Sequence, residues 1–150
     1  MTAIRACGFL DNLGDLLPAM KSQGLLPAFS TQLNVAVPRI STKDIGETAA
    51  RALREPPARN DIIELVGPRS SFVDAARVFS SLLGREVKAV SVPFDAVVPT
   101  LTSHGMGASM AALIREMSEG FDAGRIDYDG KGRRIVGDVT LEQWARAAVG

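Results

Sequence analysis

Short apolar runs alternate along the chain with longer stretches in which apolar residues recur every three or four positions, the pattern of strands alternating with helices. Ala3 to Cys7 reads as a first strand. A helix-like run follows through Leu17, Met20 and Lys21 and stops at Gly24. Val35 to Ile40 is extended in character, and its Pro38, which lacks a ladder donor, predicts a short or edge strand. Ser41 and Asp44 then cap the start of a helix carrying Ile45, Ala49, Ala52 and Leu53 on one face, and Pro56-Pro57 ends it.

Ile62 to Val66 is the clearest strand, closed by Gly67-Pro68. The clearest helix follows: Ser71 with Asp74 caps it, Phe72, Ala75, Ala76, Phe79, Leu82 and Leu83 form its stripe, and Gly84 stops it. Val87, Ala89 and Ser91 predict another strand, closed by Pro93. From Phe94 the pattern is helical, with Met110, Leu113, Ile114, Met117 and Phe121 as a second apolar stripe expected in the core. Asp122 to Gly137 reads as a polar, glycine-rich loop. Thr140 with Gln143 opens a last helix bearing Leu141, Trp144, Ala145 and Ala148. The succession predicts an α/β fold with short, mainly parallel strands and a helical end, in a single domain over 1–150.

Composition narrows what such a fold is for. Seventeen basic residues balance seventeen acidic ones, which leaves no excess to neutralise phosphates and argues against nucleic acid as the main partner. One cysteine permits no intrachain disulfide and suits a reducing, cytoplasmic compartment. Neither a signal peptide nor a membrane-spanning stretch is expected.

One histidine and one cysteine cannot supply a zinc site, so no metal is predicted. A nucleophile-elbow motif is absent, and Ser70 and Ser71 are helix-capping residues rather than nucleophiles. His104, beside Gly105, reads as a surface or pocket-rim residue rather than a general base. Gly105 and Gly107 follow no strand and form no pyrophosphate cradle. Gly130-Lys131-Gly132-Arg133-Arg134 forms a basic spot within a solvated loop.

Several segments, in order, resemble the NmrA-like family of atypical short-chain dehydrogenase/reductases. Arg5-Ala6-Cys7-Gly8-Phe9-Leu10-Asp11-Asn12-Leu13 resembles the family's R-P-G-F-F-M-E-N-L. Val37 to Ala50 is similar to its strand-to-helix passage V-x-D-I-A-x-x-A. Ile63-Glu64-Leu65-Val66-Gly67-Pro68, a capped helix, Leu83-Gly84-Arg85 and Val90-Ser91-Val92-Pro93 follow the order y-e-L-x-G-P, L-G-R-x-V, V-P. Thr140 to Trp144 looks like the closing T-L-x-x-F/W helix.

The resemblance implies the C-terminal, substrate-side portion of a Rossmann-like NAD(P)-binding fold, lacking the glycine-rich half and the Tyr-x-x-x-Lys region. It implies NAD(P) as the associated cofactor, with Cys7 and Gly8 near it, and Phe9 and Asn12 on the side of a small-molecule pocket; His104, by residue type rather than by resemblance, is a further candidate for the rim of that pocket. Ala6 stands where the family usually has proline, which departs from its loop geometry.

No residue set for unaided catalysis is expected. A first strand that is internal in such a sheet predicts a homodimer or a complementary nucleotide-binding chain as partner. The alternative is a regulatory or protein-interaction module without cofactor.

Overall fold

The computed structural model describes residues 1–126 and 128–150, so Asp127, in the segment read as a loop, lies outside it. In chain order it contains β1 (Thr2–Ala6), β2 (Gly8–Phe9), a 3-10 helix (Leu10–Leu16), α1 (Leu17–Gln23), β3 (Leu25–Ala28), β4 (Val37–Ile40) and α2 (Thr42–Arg54). There follow β5 (Asp61–Val66), β6 (Arg69–Ser70), α3 (Phe72–Leu83), β7 (Lys88–Ser91), α4 (Phe94–Ser103), α5 (Ala108–Asp122), β8 (Arg133–Val136) and α6 (Leu141–Val149). The α/β class and the mainly parallel pairing agree with the alternating pattern of the sequence.

Three small sheets carry these strands. The largest has the order β1-β5-β8 and is wholly parallel. A second, β2-β4-β6, joins a parallel to an antiparallel pair, and a third pairs β3 with β7 in parallel. Parallel neighbours require long crossovers, here supplied by helices.

Local signals set the helix ends. Ser71 and Asp74 form a reciprocal capping box on α3, Thr140 and Gln143 another on α6, and Ser41 accepts from the Asp44 amide at α2. Gly24 and Gly84 end α1 and α3 in the left-handed conformation that glycine adopts without strain.

Two apolar clusters hold the elements together. Leu10, Leu13, Met20, Leu26, Ala75, Ala76, Phe79, Val87, Leu141 and Ala145 join the 3-10 helix, α1, α3, α6 and the β3-β7 pair. Ile40, Ile63 and Leu65, flanked by Ile4, Ala6, Ile45 and Ile135, bind one face of the large sheet to α2. The buried Asp44 ties the chain's end to this cluster by accepting from the Ser41 hydroxyl at 2.8 Å and from the Asp138 and Val139 amides at 3.3 Å.

Several expectations are corrected. The segment read as a loop contains β8, whose consecutive arginines conceal a strand because nonlocal carboxylates neutralise them. Arg133 pairs with Asp61 at 2.9 Å, and Arg134 approaches Glu64 at 3.6 Å. The basic spot is therefore mostly compensated, with Lys131 beside Asp129 at 3.4 Å.

The strand containing Pro38 is short, as expected, but it lies in the middle of its sheet rather than at an edge. This is possible because β6 pairs with Val37 and Pro38 while β2 pairs only with Arg39 and Ile40. Strand β3, which contains Pro27, was not expected at all.

The stripe on α5 is not core. Met110, Leu113, Met117 and Phe121 are exposed, whereas Ala111, Ser118 and Gly120 are buried against the rest of the chain. Leu53, expected on the packed face of α2, is 83% exposed.

Candidate functional site

The parallel pairing brings the carboxyl ends of β1 and β5 to one end of the large sheet, the position where open α/β sheets receive ligands. Beyond Ala6, Cys7 still donates its amide to the Leu65 carbonyl at 3.1 Å. The chain then leaves this sheet and enters β2, alongside Arg39 and Ile40. Cys7 thus marks a switch from one sheet to the next.

Gly8, Phe9 and Asn12 follow it as an exposed shelf, with open space around the position a Cβ would occupy on Gly8. Leu10 and Leu13 point the other way, into the main core. β2 and the start of the 3-10 helix therefore carry both anchor and shelf.

The opposite wall is made where β5 ends. A Cβ on Gly67 would lie 1.7 Å from the Arg39 carbonyl oxygen, so only glycine allows this approach of β5 to β4. Arg39, in turn, is buried, with 7% of its surface exposed. Its guanidinium donates to the Ser70 carbonyl and to Ser70 Oγ, and lies over the Phe72 ring at 4.6 Å.

Burial lowers the Arg39 pKa, while the nearby Cys7 and Asp74 act in the opposite direction. Burial pushes the Cys7 thiol up, opposed in part by the Gly67 backbone and the Arg39 charge. A thiol held protonated is a poor nucleophile, so this geometry does not make Cys7 reactive. Sequence reasoning missed Arg39; its signal was an arginine between Pro38 and Ile40 in an otherwise apolar strand.

A second polar group lies on the same sheet. Arg5, Glu64 and Arg134 stand side by side on β1, β5 and β8 through the strand register. Glu64 is buried, with Arg5 at 4.0 Å, Arg134 at 3.6 Å and the Gly132 amide at 3.4 Å from its carboxylate.

Tyr128 covers this row. Its hydroxyl donates to the Leu65 carbonyl at 3.0 Å, and both guanidiniums lie near its ring, at 5.9 and 5.7 Å. A hydrogen bond from Arg5 holds the Asp129 carboxyl down at about 2.

Burial pushes the Tyr128 phenol from 10.0 up to about 12. Because the folded-state value is raised, the associated stability is complete below the unfolded value of about 10 and is lost as pH rises toward 12. Tyr128 is the chain's one tyrosine, so phenolate absorbance reports on it alone. The expected titration shows little phenolate at pH 10 in the folded protein and a normal tyrosine titration in denaturant. Half-ionisation near pH 10 in the folded state would contradict the burial.

The expected site residues do not all meet. Cys7, Gly8, Phe9 and Asn12 are together because they fall within one six-residue stretch. His104 instead caps the end of α4, with its Nδ1 2.8 Å from the Thr100 carbonyl and 3.3 Å from Ser103 Oγ. Nothing among the described contacts joins it to the shelf.

Two surface grooves, of about 560 and 480 Å³, lie elsewhere. The first, between α2 and α6, includes Lys43, Glu47, Asp138 and Trp144; the second, beside α3 and β7, includes Arg77, Ser80 and Lys88. No group of three His, Cys, Asp or Glu residues suited to a metal ion occurs among the described residues. No helix among them is long and apolar enough to cross a membrane.

A dinucleotide needs a glycine-rich turn that offers amides to its pyrophosphate. The segment after β1 has Gly8 and, inside the 3-10 helix, Gly14, with Asp11 where a middle glycine would stand, and no G-x-x-G-x-x-G follows any described strand. The residues present form one wall and do not enclose such a cofactor unaided.

No family model matches the sequence, and no curated protein sequence matches it. Solved structures do resemble the fold. A nucleoside-diphosphate-sugar epimerase from Staphylococcus aureus superposes with a TM-score of 0.73 at 17% identity, covering 97% of this chain and 51% of that one. An NADPH-dependent quinone oxidoreductase from Escherichia coli, complexed with NADPH, gives 0.79 at 17% identity, covering 99% and 53%. A triphenylmethane reductase from Citrobacter sp., complexed with NADP(H), gives 0.70 at 18% identity, covering 86% and 45%. The chain thus spans about half the length of these structures, and over that half it shares their mixed α/β, parallel-stranded fold.

Proposed function

We propose that this chain supplies the substrate or ligand side of an NmrA-like, NAD(P)-associated reductase and does not catalyse on its own. The observation that carries this reading is the shelf of Gly8, Phe9 and Asn12 at the carboxyl ends of β1 and β5. That is the ligand end of a fold whose solved relatives include NADPH and NADP(H) complexes. Phe9, 40% exposed beside a helix otherwise anchored in the core, offers an aromatic face to a flat organic ligand. Cys7 and Gly8 lie where the nicotinamide end of a cofactor held by a complementary half would approach. Arg39 fixes the floor beneath them.

The test is an amide-resolved NMR titration of the 150-residue chain with NADPH and, separately, with a soluble quinone. NADPH alone is expected to show no saturable binding below about 1 mM. The quinone is expected to shift the Cys7 to Asn12 resonances and leave α6 unmoved. Tight NADPH binding would show that the chain holds a cofactor site of its own. A quinone response confined to the groove beside Trp144 would move the ligand site away from the shelf.

A second reading, a regulatory or interaction module without cofactor, is favoured by the uncovered α5 stripe of Met110, Leu113, Met117 and Phe121. It predicts no response to either small molecule at the shelf.

A further inference from the structure

Arg39, Asp44 and Glu64 are the charged side chains buried among the described residues. Two of them have their charge answered. Glu64 lies between Arg5 at 4.0 Å and Arg134 at 3.6 Å, and Asp44 accepts from a hydroxyl and two amides. Arg39 is the exception. Its Nη1 donates to the neutral carbonyl and hydroxyl of Ser70, its face lies over the Phe72 ring, and it forms no ion pair among the described residues. Asp74, a carboxylate whose charge reaches it, is engaged instead by Ser71 and Arg77. Arginine does not shed its proton to escape burial, so the cost of a desolvated cation without a counterion stays with the fold.

The other edge of the guanidinium is free. Nε and Nη2 have no partner among the described residues, where no buried side-chain nitrogen or oxygen lacks one, so both keep contact with the surface. Register shows where that contact can open. Arg39 stands directly across from Gly8 in the parallel β2–β4 pair, and residues so paired direct their side chains to the same face, about 4.8 Å apart. Gly8 contributes no side chain to that face, and nothing lies within 4 Å of the position its Cβ would take. An unfilled position thus adjoins a buried cation at the floor of the shelf.

We infer that the Nε–Nη2 edge of Arg39, reached through the gap at Gly8, binds an oxyanion of the shelf's ligand, a carboxylate or phosphate group held by two parallel hydrogen bonds. That edge presents its N–H groups side by side, the spacing that two oxygens of an oxyanion match. The cation is already out of water, and Ser70 and Phe72 already hold its orientation, so little further ordering is needed to bind. No conformational demand explains the glycine, because Gly8 is absent from the residues with positive φ. What glycine supplies there is room. Oxyanion binding here rests on the shelf being a ligand-binding face, and it adds the ligand's charge to that reading.

NMR titrations of the 150-residue chain with sodium benzoate and, separately, with inorganic phosphate test it, read at the Arg39 Nε–H resonance alongside thermal unfolding of the same samples. Sodium chloride at matched ionic strength and benzyl alcohol, a neutral analogue of benzoate, are the controls. The expected result is a saturable Arg39 shift with at least one oxyanion, and a melting temperature raised by about 3–6 °C at ten times the dissociation constant. Saturation by benzoate alone identifies a carboxylate, saturation by phosphate alone a phosphoryl group, and saturation by both their shared chemistry. Gly8→Leu fills the gap and should weaken the binding by about ten-fold or more.

No saturable shift from either oxyanion overturns the inference, as does an equal shift from chloride or benzyl alcohol. A shift that persists unweakened in Gly8→Leu overturns it as well, since the anion then does not enter beside Gly8. If Gly8→Leu fails to fold, the titrations of the unsubstituted chain still decide. Quinone shifts at Cys7 to Asn12 with Arg39 silent toward both oxyanions would remove this inference and leave the shelf standing. An oxyanion response at Arg39 without any quinone response would keep it and remove the quinone.

Discussion

Gly67→Ala is expected to destabilise the protein by about 3 kcal/mol or more, enough to lower its melting temperature by roughly 10 °C. The added methyl would stand 1.7 Å from the Arg39 carbonyl oxygen, 2.5 Å from its carbonyl carbon and 2.9 Å from the Ile40 Cα. All three are backbone atoms, so no side-chain rotation can relieve the overlap. β4 has to move away from the end of β5, and it carries Ile40 and Arg39 with it.

Conformational strain is not the cause, because Gly67 is absent from the glycines with positive φ. Gly84 makes the useful contrast, with φ +63 and open space around its Cβ position. Gly84→Ala should therefore cost only about 1–2 kcal/mol, the left-handed penalty alone. Thermal unfolding of both variants separates the two causes. Equal losses would mean that the contact between β5 and β4 is not tight. In Gly67→Ala the Cys7 and Gly8 resonances should also shift, since Cys7 is bonded to Leu65 two residues before the substituted position.

That contact also shows where sequence reasoning reached and where it stopped. Gly67-Pro68 was legible as the end of a strand, because turn chemistry is local. So were the capping pairs Ser71–Asp74 and Thr140–Gln143, each resolved within four residues. What glycine was needed for at position 67 was not legible, since its neighbour is Arg39, far away in sequence.

The same division explains β8. Arg133 and Arg134 look like solvated loop residues until Asp61 and Glu64 are known to lie beside them. Periodicity has a related blind spot on α5. It showed that Met110, Leu113, Met117 and Phe121 share a face, but a shared face is buried only if something covers it. Of the site, the six-residue stretch that holds Cys7, Gly8, Phe9 and Asn12 was legible as one unit, whereas His104 stands out by residue type alone, and its partners lie within its own helix end.

The second large effect belongs to the main core. Phe79→Ala is expected to cost about 3–5 kcal/mol. Phe79 has no exposed surface, and its ring meets Trp144 edge to face, with centroids 6.4 Å apart and planes at 86°. That pair is the aromatic join between α3 and α6, the two helices with reciprocal capping boxes. Truncation removes the buried ring, leaves a cavity among Leu10, Met20, Leu26 and Ala145, and deprives Trp144 of its partner.

Helix propensity works the other way, since alanine is the better helix former, so any loss measures packing rather than local structure. Val73→Ala, at a 43% exposed position of the same helix, should stay within about 0.5 kcal/mol of the parent. Chemical denaturation followed by the fluorescence of Trp144, the chain's one tryptophan, checks both variants. The Phe79 variant should unfold at lower denaturant and show an altered native emission spectrum. The shelf bears on the same experiment, because Leu10 and Leu13 anchor it in this core while Phe9 and Asn12 face outward. A loosened core should therefore broaden the Phe9 and Asn12 resonances before global unfolding, while the β1–β5 ladder, which rests on the separate cluster of Ile40, Ile63 and Leu65, stays protected.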